Sequence, residues 1–142
     1  SVLWLVGDGE LRGEIEEKIK KLGLTDSVRL FGMVENTKEL YQAMDVMVMP
    51  SLFEGLPMVG VEAQASGLPC VFADTITREV DIVGCPYLSL EASTEKWAKA
   101  AIKMAKAKKR RSYPKELDEL GFNIQLEAKR LEELYLSKVV KR

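Results

Sequence analysis

The chain has 142 residues, 46% of them hydrophobic and 30% charged, with a formal net charge of −1. A chain of this length and make-up can bury a core in one domain without metal or disulfide support, which excludes a disordered or fibrous protein and a global basic field for nucleic acid. The absence of histidine excludes a self-contained Ser-His-Asp triad, a histidine-ligated zinc and an imidazole general base.

Residues 2–6 form an apolar run closed by Gly7-Asp8-Gly9, the pattern of a buried parallel strand. A chain that opens inside such a strand is expected to be a fragment whose preceding residues are missing. Residues 10–22 predict a helix, with Leu11, Ile15, Ile19 and Leu22 on one face. Glu14/Lys18, Glu16/Lys20 and Glu17/Lys21 pair on the other face, and Gly23 ends the helix. Residues 28–31 are the next strand. Asn36-Thr37-Lys38-Glu39 reads as a capping box before a short helix reaching about Met44. Residues 46–49 are a third strand, followed by the loop Pro50-Ser51-Leu52-Phe53-Glu54-Gly55. Residues 57–66 form a helix with proline in the first turn and Gly67 beyond the end. Residues 69–73 are a fourth strand, and a weaker one lies near 86–90. From Thr94 the chain is helical to its end, with Trp97, Ala101, Met104 and Ala105, then Ile124, Ala128, Leu131 and Tyr135, at helical spacing.

Strands alternating with helices predict an α/β fold: a Rossmann-like, doubly wound, mostly parallel sheet with helices on both faces. One domain is expected over residues 1–142, with residues 94–142 as its helical C-terminal portion. Cys70 and Cys85 lie in apolar settings without a C-x-x-C spacing, which predicts two buried thiols and no metal site. The uncharged run 63–73 is far short of the ~20 residues a membrane span needs.

In such sheets ligands bind beyond the carboxyl ends of the strands. The loop 51–56 is the most informative of the four found there. The helix after it is apolar almost all round, which predicts burial. Its one charge is Glu62. A buried carboxylate costs several kcal/mol unless it is paired or hydrogen-bonded. Either Glu62 meets a cation from elsewhere or serves as an N-terminal helix charge, or its oxygens accept from ligand hydroxyls. Glu54 is a second carboxylate at the same end, and Gly55 lets a ligand approach the backbone closely. The amides of Leu56 and Met58 stand where the helix dipole favours anions. These features describe a ligand both anionic and polyhydroxylated, such as a nucleotide-sugar.

Three other readings compete. Gly7-Asp8-Gly9 resembles the start of a dinucleotide fingerprint, but Arg12 stands where the third glycine is needed and the second strand ends in Phe31-Gly32 rather than an acid. A phosphate-accepting receiver domain needs an acidic pair after the first strand, where only Asp8 is available. A non-catalytic binding module remains open. Residues 96–115 carry nine Lys/Arg and no Asp/Glu, either a solvated face or a surface for anionic lipid headgroups at about 1 kcal/mol per cation.

The segment from Pro50 through Phe53-Glu54-Gly55-Leu56-Pro57-Met58 to Glu62-Ala63-Gln64-Ala65-Ser66-Gly67-Leu68-Pro69 closely resembles the donor-site motif of retaining glycosyltransferases with the GT-B fold. Two glutamates separated by seven residues mark that motif, as Glu54 and Glu62 are here. Leu5-Val6-Gly7-Asp8-Gly9, Val28-Arg29-Leu30-Phe31-Gly32 and Asp45-Val46-Met47-Val48-Met49 match its flanks, so that the likeness covers roughly residues 2–135. The resemblance implies that Glu62 holds the ribose hydroxyls of a nucleoside diphosphate-sugar and that Glu54, the catalytic candidate, contacts the transferred sugar. It places the backbone of Gly55, Leu56 and Met58 against the sugar and diphosphate, Val34 against the base, and Gly7 in the lining of the pocket. It implies no cofactor and no metal, the nucleotide-sugar being the substrate. The partners it implies are a glycan or lipid-linked acceptor bound by a missing N-terminal lobe, peripheral contact with a membrane, and no nucleic acid. Capsular or extracellular polysaccharide transferases in the cytoplasm are the nearest likeness, and nucleotide-sugar epimerases of the same fold are the enzymatic alternative.

The family's donor half begins with one more strand and helix, whose Arg and Lys neutralise the diphosphate. Their absence here predicts an isolated chain with negligible transfer activity and weak nucleotide binding at best, and a gap in the sheet covered by another copy, a rearranged strand or tight dimerisation.

Overall fold

A computed structural model describes residues 1–107 and 110–139. The chain divides into two compact units, Ser1–Thr37 and Lys38–Arg142.

The first unit is a β-α-β repeat: β1 (Leu3–Val6), α1 (Arg12–Lys21) and β2 (Val28–Gly32). The strands are parallel, with Leu3 opposite Val28 and Trp4 opposite Arg29. The register shifts after Leu5, so that Val6 faces Gly32. The Trp4 and Phe31 rings meet at 4.8 Å. Gly7 then donates its N–H to the Gly32 carbonyl at 2.8 Å. Both glycines have positive φ, 129° and 67°, a conformation that a side chain at either position would strain.

Helix α2 (Thr37–Ala43) starts at the last residue of the first unit, and in the second unit β3 (Met47–Met49), α3 (Met58–Ala65), β4 (Cys70–Ala73) and β5 (Tyr87–Leu88) precede three helices, α4 (Thr94–Ala107), α5 (Pro114–Glu119) and α6 (Ile124–Val139). The three strands form a parallel sheet in the order β3-β4-β5. All four residues of β4 are buried, as expected of a central strand whose two faces are both covered. Helices α3 and α4 pack against it. The core gathers Val61, Leu68, Val71, Phe72, Ile76 and Val80, and both cysteines are buried outside any disulfide, as their apolar settings predicted.

Parallel strands alternating with helices give the Rossmann-like architecture that the sequence predicted. The helix expected over 57–66 is trimmed to α3, with Pro57 just outside it in an extended conformation. The weak strand near 86–90 contracts to two residues. A short 3-10 turn, Arg78–Val80, was not predicted; Thr77 caps it by accepting from the Glu79 amide at 3.4 Å. Of the basic stretch, Lys108 and Lys109 lie outside the described residues.

Candidate functional site

In the second unit the loop 50–57 leaves the carboxyl end of β3 and delivers the chain to α3. It is braced from the neighbouring loop, where the Thr75 hydroxyl donates to the Ser51 carbonyl at 2.6 Å. Glu54 is half-buried in this loop. Its carboxylate has no hydrogen-bond or ionic partner among the described residues. Leu52 and Phe53 beside it are exposed, as are Gly55 and Leu56, whereas Pro57 is buried. The first helical bond runs from the Gly60 amide to the Pro57 carbonyl at 2.9 Å. The amides of Met58 and Val59 therefore stand at the open, positive end of α3.

Glu62 corrects an expectation. It is exposed, and the buried residues of α3 are Gly60, Val61, Ala63 and Gln64. At ~100° per residue Glu62 lies about 200° around the helix from Gly60, on the open face with Met58 and Val59. No desolvated charge has to be compensated. The carboxylate is nevertheless held, because the hydroxyl of buried Tyr41 donates to Glu62 Oε2 at 3.1 Å.

The polar group that α3 does bury is Gln64, fully inaccessible. Its Nε2 donates to the carbonyls of Gly60 (2.9 Å) and Val80 (2.7 Å). Its Oε1 accepts from the Ile82 amide at 2.9 Å and the Cys85 thiol at 3.4 Å. This amide fastens α3 to the segment after the 3-10 turn, and so sets the helix that carries Met58 and Glu62. Sequence reasoning missed it. The signal available was its place four residues after Gly60, on the face of closest packing.

That segment folds around Asp81, whose Oδ1 accepts from the amides of Val83, Gly84 and Cys85 at 3.3, 2.8 and 2.9 Å. Next to it, the Tyr87 hydroxyl is pushed up to about 12, first by burial and then by the charge of Asp81. The Arg78 guanidinium lies 3.4 Å over the Tyr87 ring, a cation–π arrangement.

Two named positions belong to the first unit. Gly7 lines an open cleft of about 540 Å³ together with Leu5, Asp8, Arg12 and Leu30. Arg12 is paired there with Asp8 at 3.1 Å and Glu16 at 3.0 Å, and its pKa is raised first by the hydrogen bond to Glu16 and then by the charge of Asp8. Val34 is half-buried two residues beyond the end of β2. Among the described residues no group of three His, Cys, Asp or Glu is placed to hold a metal ion.

The family model for Glycosyl transferases group 1 matches residues 1–107. The chain belongs to the group 1 glycosyltransferases. Among the relatives of this family is EpsF of Bacillus subtilis (strain 168), which carries a glycosyltransferase assignment; it is 46% identical over 127 residues, 87% of this chain and 33% of EpsF. The amylovoran biosynthesis glycosyltransferase AmsD of Erwinia amylovora is 40% identical over 81 residues, 57% of this chain and 23% of AmsD. Among solved structures, the lipopolysaccharide outer core galactosyltransferase WaaB superposes with a TM-score of 0.72 at 19% identity, over 96% of this chain and 41% of WaaB. HepE of Anabaena, in complex with UDP, gives a TM-score of 0.71 at 21% identity, over 94% of this chain and 41% of HepE. These neighbours establish the fold as that of part of a GT-B transferase. The chain spans a third or less of the length of the curated glycosyltransferases it matches.

Proposed function

We propose that this chain is the nucleotide-sugar-binding part of a retaining glycosyltransferase that builds bacterial polysaccharide. The observation that carries the reading is the pair of carboxylates at the carboxyl end of β3. Glu54 is half-buried without a partner among the described residues, and Glu62 is fixed on the open face of α3. An ionised carboxylate only accepts hydrogen bonds, so each is suited to hydroxyl donors. Glu62 takes the two ribose hydroxyls of the donor nucleotide. Glu54 takes hydroxyls of the sugar being transferred. The backbone of Gly55, Leu56 and Met58 faces the sugar and the diphosphate, whose charge the open end of α3 favours.

In the reaction proposed, the bond from the anomeric carbon to the diphosphate oxygen breaks and a bond from an acceptor oxygen forms on the same face. The diphosphate departs with the bonding electron pair, and its departing oxygen takes the proton that the acceptor hydroxyl gives up. This chain's residues grip and orient the donor; no cofactor is involved. The acceptor is a glycan or lipid-linked sugar, held by residues outside these 142. One Escherichia coli relative is named for transfer from UDP-galactose to a diphosphoundecaprenol-linked sugar, and the HepE structure holds UDP. Uridine diphosphate is therefore the first ligand to test. The lysines of α4 and the arginines after it are proposed to rest on the anionic membrane surface that displays such an acceptor.

Calorimetric titration with UDP, GDP and ADP tests the reading. Glu62→Gln is expected to weaken nucleotide binding roughly tenfold, the scale of a charge-assisted hydrogen bond, with an unchanged unfolding midpoint. Unaltered binding with altered stability sinks it. The isolated chain is expected to transfer no sugar; turnover by the 142 residues alone refutes that part.

A further inference from the structure

Glu62 stands on an exposed helix face, where a glutamate side chain ordinarily samples several rotamers and loses that freedom when it binds. Here one oxygen is already committed. The Tyr41 hydroxyl donates to Oε2 at 3.1 Å, while Oε1 has no hydrogen-bond partner among the described residues. The lever is rigid, since the Tyr41 ring is 6% exposed and packed in the core. It is also anchored from behind. The Arg110 guanidinium donates to the Tyr41 carbonyl at 2.8 Å and to the Met44 carbonyl. These carbonyls belong to the C-terminal end of α2, where the helix leaves its last acceptors unmatched. A continuous line of contacts thus runs from Arg110 through the end of α2 and the Tyr41 ring to one face of a carboxylate.

We infer that Tyr41 is a positioning residue: its hydroxyl holds the Glu62 carboxylate with Oε1 turned free, and this fixed geometry selects a vicinal diol, the ribose of a ribonucleotide, over a sugar lacking those hydroxyls. The inference rests on the reading of Glu62 as the ribose ligand. A tyrosine that merely satisfied its own hydroxyl would support folding equally but would not discriminate between ligands.

The test is made on the complete protein that carries these residues. The probe is whichever of UDP, GDP and ADP binds most tightly, together with its 2′,3′-dideoxy analogue. Tyr41→Phe keeps the ring and removes the hydroxyl. It is expected to weaken the ribonucleotide about three- to tenfold, less than the loss of a whole charge-assisted bond, and to leave the dideoxy analogue unchanged. In a Glu62→Gln background it is expected to add nothing, since the two act through one contact. Arg110→Gln, at an exposed side chain, is expected to shift the ribo-to-dideoxy ratio the same way by a smaller factor, and it serves should Tyr41→Phe not fold. Equal losses for both nucleotides, losses that add to those of Glu62→Gln, or an unmoved ratio in the folded variants each overturn the inference. Failure of the underlying reading looks different: the wild type then binds no nucleotide, or Glu62→Gln itself leaves the ratio untouched.

Discussion

Tyr87 carries its hydroxyl to a place where the oxygen is buried and has no hydrogen-bond partner among the described residues. Burial and the charge of Asp81 favour the neutral phenol, which moves the ordinary pKa of 10.0 up to about 12. A neutral form favoured in the folded state stabilises fully below the unfolded value and is lost as pH rises through the folded one. Stability is therefore expected to fall between about pH 10 and 12, by on the order of 1 kcal/mol once solvent screening of a partly open ring is allowed for. Urea melts across that range check it. Tyr87→Phe is expected to flatten the fall without loss at neutral pH, because an unpartnered hydroxyl contributes no bond. Residues of this kind were hidden from the sequence. Tyr87, Asp81 and Gln64 acquire their surroundings from segments that only the fold assembles. Glu54, by contrast, was legible as a site candidate from its place between a strand and a proline-headed helix. Glu62 was legible as polar and solitary, but not as open, because the apolar residues Met58 and Val59 beside it hid which face was turned outward.

Helix α3 shows why the elements were easier to read than their contacts. Its bounds follow from Pro57 and Gly67, whose backbone preferences are local. Its seat on β4 does not follow from local preference. A Cβ at Gly60 would lie 2.9 Å from Val80 Cγ2 and 3.1 Å from Phe72 Cε1. Gly60→Ala gains about 1 kcal/mol of helix propensity and loses about 1–3 kcal/mol to overpacking. The net expectation is a destabilisation of about 1 kcal/mol, seen as a lower denaturant midpoint, with reduced nucleotide binding because the open end of α3 is displaced. An unchanged or higher midpoint means that the ring and methyl move aside freely. The 3-10 turn Arg78–Val80 escaped the sequence for a related reason: three residues hold no periodicity.

At the scale of the molecule, short apolar runs separated by helices forecast parallel pairing, and every named strand pair is parallel. The boundary between the two units, at Thr37 and Lys38, left no mark. It falls within the segment read as a capping box, without glycine or proline. The basic stretch also takes a definite form, since α4 carries Lys96, Lys99, Lys103 and Lys106 along a helix whose Lys99 pairs with Glu95 at 2.5 Å. Among the described residues no helix is long and apolar enough to cross a membrane, and the contact with lipid proposed above rests on the lysines of α4 and the arginines after it alone. Flotation with vesicles containing acidic lipid is expected to retain the protein at low salt and release it as salt screens the charges. Equal recovery with neutral vesicles ends that part of the proposal.

The two thiols give the second unit a private clock. Cys70 donates to the Leu68 carbonyl and Cys85 to Gln64 Oε1, each at 3.4 Å, and both are buried. The first unit contains no cysteine. A thiol-specific reagent can therefore reach its targets only when the core around β4 opens. The labelling rate then times those openings, and a bound ligand that steadies α3 will register as a slower tick.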